Sequence, residues 1–141
     1  MESPLLHGRP RETQEKLHWE SQQWKSSLCF IEDEITFIDR LLNSYVFQPN
    51  TPNLFERLQD YLQRLTLVKE EKAKLRKRIS RHENNLGGMM ECKDETGDKE
   101  YFRKHESLKE QMRVCNTNFQ ALKSEIFNYA GGILKKRKPT S

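Results

Sequence analysis

No run of apolar residues in this chain approaches the 18 or so that a membrane-crossing helix needs. Met1 to Thr13 also lacks the apolar core of a secretory signal. Cysteine is scarce. The three present, Cys29, Cys92 and Cys115, are odd in number and widely spaced, a usage that fits free thiols in a reducing compartment and makes the cytoplasm the expected location. Five prolines and six glycines are too few for the tight turns of a β-rich fold. Apolar residues make up only 34% of the chain against 33% charged. A chain of 141 residues with that balance reads as one lean, charged helical domain with a narrow core.

Catalytic motifs are missing as well. There is no Cys-x-x-Cys, no His-Glu-x-x-His and no phosphate loop, and Gly87-Gly88 is a lone pair better suited to stopping a helix. The expectation is therefore a protein that is not an enzyme and needs no cofactor.

What the sequence does have is a sustained spacing of three and four. The first series is Leu17, Trp24, Leu28, Ile31, Ile35, Ile38, Leu42 and Tyr45, with Ser21 filling one slot. The second runs Leu54, Leu58, Tyr61, Leu65, Val68, Lys72, Leu75, Ile79, His82 and Leu86. The third runs Tyr101, His105, Leu108, Met112, Cys115, Phe119, Leu122, Ile126, Tyr129 and Ile133. Such steps keep every member on one helix face. Lys72 holds a seam position, where its stem can bury while the ammonium reaches solvent, and there it can fix register.

Breakers fall where each series pauses. Two prolines in Phe47-Gln-Pro-Asn-Thr-Pro-Asn53 end the first helix. Thr51 is placed to cap the second, with Pro52 at its first position. Gly87-Gly88 is expected to close it, and Thr96 or Asp98 to open the third. The spacing thus predicts helices over about 10–46, 52–86 and 97–132, with residues 1–9 a flexible N-terminus, 10–134 the folded domain and 135–141 a flexible basic tail. Short connections favour antiparallel neighbours. The expected fold is all-α, an antiparallel up-down-up three-helix coiled-coil bundle. The pattern resembles three-helix coiled-coil modules in general, spectrin-like in outline, and that likeness implies no function.

Three groups of residues are candidates for function. Phe30, Phe37 and Leu41 lie on a second apolar line of the first helix. They either broaden the face by which that helix wedges between the others or point outward to a protein partner or a second copy. His18, His82 and His105 converge at one end of the expected bundle, with Glu15, Glu83 and Glu106 beside them. Three imidazoles so placed suit zinc or another borderline metal, although core histidines can equally bond to carboxylates and set register. Residues 69–81 hold seven cations, Arg76, Lys77 and Arg78 at their centre, and Lys135, Lys136, Arg137 and Lys138 make a second cluster. Such clusters can hold phosphates without reading sequence. Glu70 and Glu71 open the first run and no aromatic side chain interleaves with it to stack bases, so a solvated face is expected and nucleic acid is an unfavoured partner. The primary expectation is a non-catalytic interaction or structural module that acts through coiled-coil contacts.

Overall fold

The computed structural model describes residues 10–47, 52–91 and 95–137, and the side chains of 13–47, 53–85 and 99–135. They form three α-helices that pack against one another, α1 (Pro10–Leu42), α2 (Pro52–Glu91) and α3 (Glu95–Arg137), with a single 3-10 turn at Tyr45–Phe47. No strand occurs among the described residues, and none of the described helices is long and apolar enough to cross a membrane.

The seams fall where the spacing places them. Leu17, Leu28, Ile31, Ile35, Ile38 and Leu42 of α1 are buried, as are Leu54, Tyr61, Leu65, Leu75 and Ile79 of α2. On α3 the buried positions run from Tyr101 through Leu108, Met112, Cys115, Phe119 and Leu122 to Ile126. Lys72 is half-buried in its seam position.

Helix boundaries differ from the expected ones, for local reasons. The first helix stops at Leu42 rather than 46 because two short polar side chains compete for its last carbonyls. Asn43 Nδ2 donates to Asp39 O at 2.8 Å, and Ser44 Oγ donates to Leu41 O at 2.6 Å. The same Ser44 Oγ accepts from Val46 N–H at 3.3 Å, and Phe47 N–H reaches Ser44 O at 3.2 Å, which tightens the chain into the 3-10 turn. That turn changes which side chains go inside. Tyr45, expected in the seam, is 70% exposed, whereas Val46 and Phe47 are buried.

The glycine pairs do not end helices. The second helix continues through Gly87-Gly88 to Glu91, and the third through Gly131-Gly132 to Arg137. A helical glycine costs about 1 kcal/mol relative to alanine, far less than an interior proline, and a long helix bears that. The third helix also starts earlier than expected, at Glu95, so Thr96 and Asp98 lie within its first turn. Residues 135–137, expected to open a flexible basic tail over 135–141, belong instead to α3, whereas Thr51, Cys92 and the segments 1–9 and 138–141 lie outside the described residues.

By contacts the chain divides into two compact units, and each helix contributes to both. Unit 1 comprises Met1–Cys29 with Lys72–Val114, and unit 2 comprises Phe30–Glu71 with Cys115–Ser141. The core of unit 2 is apolar throughout. Ile31, Ile35, Ile38, Leu42, Val46 and Phe47 pack with Leu54, Tyr61 and Leu65 and with Phe119, Leu122, Ile126 and Ala130. Three aromatic rings close one part of it: Phe47 lies 6.3 Å from Tyr61 and 6.0 Å from Tyr129, and the two tyrosines are 6.0 Å apart. Unit 1 buries Leu17, Leu28, Leu75, Ile79, Tyr101, Leu108 and Met112 together with Ser21, His82 and His105.

Candidate functional site

The buried polar residues of unit 1 are joined. His82 and His105 hold seam positions on α2 and α3 and are only 3% and 0% exposed. Their rings meet directly, His82 Nε2 to His105 Nδ1, at 2.9 Å. The other nitrogen of His105, Nε2, lies 2.7 Å from Glu20 Oε1 of α1. A carboxylate accepts only, so His105 Nε2 carries a proton and the three side chains form a row from carboxylate to imidazole to imidazole. His82 Nδ1 ends the row, buried and without a hydrogen-bond partner. Tyr101 stacks on the His82 ring at 4.0 Å, and the Trp24 ring lies 4.6 Å from His105.

Burial sets the protonation of this row. Desolvation, aided by the nearby His105 and Lys104, lowers the pKa of His82 to about 4, against a weaker opposing influence of Glu83. His82 is therefore neutral at physiological pH. The Tyr101 hydroxyl is held protonated well above its ordinary range, first by burial and then by Glu83.

The sequence placed three histidines together, and the structure joins only two. His18 is largely exposed and turns its Nδ1 to Glu83, 3.5 Å away. That carboxylate is already engaged by Lys25 at 2.5 Å and by Gln22 Nε2 at 2.7 Å. Glu15 and Glu106 are exposed. Among the described residues no group of three or more His, Cys, Asp or Glu side chains is arranged to hold a metal ion. The donor atoms of His82 and His105 that face each other are spent on their mutual bond, so these residues do not fit the metal site expected of them. Glu20, the carboxylate that serves His105, was missed. Its signal was present in the spacing, three residues after Leu17 and four before Trp24, which places it on the inward face of α1.

Beside His82 a cleft of about 250 Å³ opens between α2 and α3, lined by Arg78, Arg81, His82, Asn85, Lys104, Ser107, Leu108 and Gln111. Of the basic run over residues 69–81, Arg78 and Arg81 line it. Arg76 instead turns a guanidinium nitrogen to Cys29 Sγ at 3.6 Å, and Lys77 is exposed. Lys135 is exposed on α3, Lys136 and Arg137 belong to the same helix, and Lys138 lies outside the described residues.

The candidate interface residues belong to unit 2. Phe30 and Phe37 are 66% and 57% exposed, so they do not wedge α1 between its neighbours. Leu41 turns the other way, half-buried against the apolar core. Phe127 of α3, which the spacing did not single out, is 39% exposed and meets Phe37 edge to face at 6.0 Å. Phe30, Phe37 and Phe127, with Asp33 and Glu34, border a shallow depression of about 340 Å³. Glu34 is paired with Lys123 of α3.

No family model, curated protein or solved structure matches this chain. Its functional reading rests on its own geometry.

Proposed function

We propose that this chain is a non-catalytic helical interaction module, an up-down-up antiparallel three-helix coiled coil that self-associates through the phenylalanine face of unit 2. Cross-helix pairs within each unit support the topology. In unit 1, Glu83 of α2 meets Gln22 and Lys25 of α1 while the earlier Arg76 meets the later Cys29, as antiparallel neighbours do. In unit 2, Tyr61 meets Tyr129 and Arg64 meets Glu125, so α2 and α3 also oppose each other. Glu34 with Lys123 and Phe37 with Phe127 advance together, which makes α1 and α3 parallel.

The observation that carries the interaction reading is the triad of exposed Phe30, Phe37 and Phe127 on one face. An isologous contact sets a surface against its own copy, and apolar aromatic surface tolerates that where single-sign charge does not. Glu34, the acid that interrupts the stripe, is compensated within the chain by Lys123. Full burial of a phenylalanine side chain contributes about 1.5–3 kcal/mol. Six half-exposed rings, three from each copy, therefore supply about 5–9 kcal/mol. Association costs about 4–15 kcal/mol, so the dimer is weak and depends on concentration.

Sedimentation equilibrium of the full chain from about 5 to 500 μM, a range matched to micromolar affinity, tests the reading. The wild type is expected to climb from 16.9 kDa towards twice that mass, while Phe37→Glu stays monomeric with unchanged helicity. A wild type that remains at monomer mass throughout, or a Phe37→Glu variant that dimerises equally well, overturns it.

A further inference from the structure

We infer that the depression framed by Phe30, Phe37 and Phe127 in unit 2 is a binding site for a small quaternary ammonium cation, of the kind that choline presents. It uses the same rings as the proposed contact between copies but does not rest on that contact. The first support is the frame. Phe30 and Phe37 lie two helical turns apart on one line of α1. Phe127 of α3 meets Phe37 with the ring centroids 6.0 Å apart and the planes at 79°. All three rings border one depression of about 340 Å³. An aromatic face carries negative potential and its edge positive, so rings set at nearly a right angle offer face area to a cation. The same unit already shows such a contact, with the Arg57 guanidinium 5.2 Å from the centre of the Tyr129 ring. Arg57 supplies that cation from within the chain, whereas the phenylalanine depression is open to one from solution.

The second support is charge. Both charged residues that border the depression, Asp33 and Glu34, are acids. Glu34 gives Oε2 to Lys123, which cancels one negative charge, and its Oε1 is buried without a hydrogen-bond partner. Asp33 is exposed and makes no ion pair among the described residues. One uncompensated negative charge therefore stands beside three aromatic rings. A neutral ligand gains nothing from that charge, and an anion is repelled by it.

The third support is the chemistry of the walls. Phenylalanine rings cannot return the hydrogen bonds that a primary ammonium gives up on leaving water. A quaternary ammonium has no N–H to lose, and its methyl groups spread the charge over an apolar surface that packs against rings. The depression lies near the lower end of ligand-site volumes, which favours a free, compact head over a larger molecule. Such a cation and a second copy would cover the same rings and so exclude each other.

The probe is choline chloride, titrated into the full chain at low salt and at a concentration where the chain is monomeric, with the phenylalanine ring resonances followed by NMR. Its neutral isostere 3,3-dimethylbutan-1-ol and a short peptide carrying trimethyllysine are titrated in parallel. Choline is expected to shift the rings of Phe30, Phe37 and Phe127 to saturation with an affinity of about 1–10 mM, and the isostere to bind several-fold more weakly. Phe127→Leu keeps an apolar side chain but removes a ring, and should weaken choline about threefold. Asp33→Asn should weaken it about threefold at low salt and less at high salt. Circular dichroism should show unchanged helicity in both variants. Equal binding of the isostere would reduce the site to an apolar hollow and overturn the assignment. So would unchanged choline affinity in both variants, or binding of the peptide without binding of choline. A chain that dimerises but does not bind choline overturns this site alone, and one that stays monomeric but binds choline overturns the contact alone.

Discussion

Two units drawn from the same three helices solve the problem of a narrow core differently. Unit 2 fills its interior with aliphatic and aromatic side chains. Unit 1 places a serine and two histidines in positions of the same spacing and ties the histidines to Glu20. An apolar core gains stability with every group it buries. A buried polar row gains only what its hydrogen bonds return, and its unpaired ends cost it. Ser21 Oγ, His82 Nδ1 and the Tyr101 hydroxyl are buried in unit 1 without a hydrogen-bond partner, against Glu34 Oε1 in unit 2. The contrast teaches that unit 2 is the more stabilising half and that unit 1 trades stability for a polar interior next to a cationic cleft.

The sharpest way to break that comparison is to cut into unit 2. Phe47 is fully buried between Tyr61 and Tyr129, so Phe47→Ala should cost about 3–5 kcal/mol in urea unfolding at neutral pH. A loss below about 1 kcal/mol would mean that the site collapses freely and the aromatic cluster is not a keystone.

The next effect belongs to unit 1 and to acid. The folded pKa of His82, about 4, lies below the ordinary imidazole value of 6.5, so in that window the unfolded chain takes up the proton more readily. Stability is complete above about pH 6.5 and falls as the pH drops towards 4, by about 2 kcal/mol at pH 5. The groups facing the ring shape this response: His105 and Lys104 oppose its charge and Glu83 favours it. His82→Leu should flatten the loss between pH 7 and 5, as read by urea midpoints. An equally steep loss in the variant would assign the acid sensitivity elsewhere.

The smallest effect is a gain. Gly131 and Gly132 lie within α3, and a Cβ at either would meet nothing within 4 Å. Gly131→Ala and Gly132→Ala should each stabilise by about 0.5–1 kcal/mol, seen as a modest rise in Tm. A fall would reveal that these positions need a glycine for a contact made elsewhere.

Much of the fold was legible because one physical signal, the three-and-four spacing, dominates the chain. It assigned three helices and nearly all of their buried faces, His82 and His105 included. Helix ends were less legible, since they turn on side chains that compete with the backbone. Asn43 and Ser44 shorten α1, and Gly87-Gly88 is too weak a breaker to stop α2. The functional surfaces were legible in part. Phe30 and Phe37 announced themselves by falling off the seam, but Phe127 joins them only through the packing of α3 beside α1. The cleft was harder still, because Lys104, Ser107 and Gln111 belong to no charge run and approach Arg78 and Arg81 only when α3 lies against α2.

The decisive question is whether the phenylalanine face of unit 2 is a contact surface between copies. Amide NMR spectra of the full chain, recorded on dilution, test it most directly. Dilution should move the resonances around Phe30, Phe37 and Phe127 and leave those around His82 and His105 still. Equal shifts at both places, or none at either, would contradict the account.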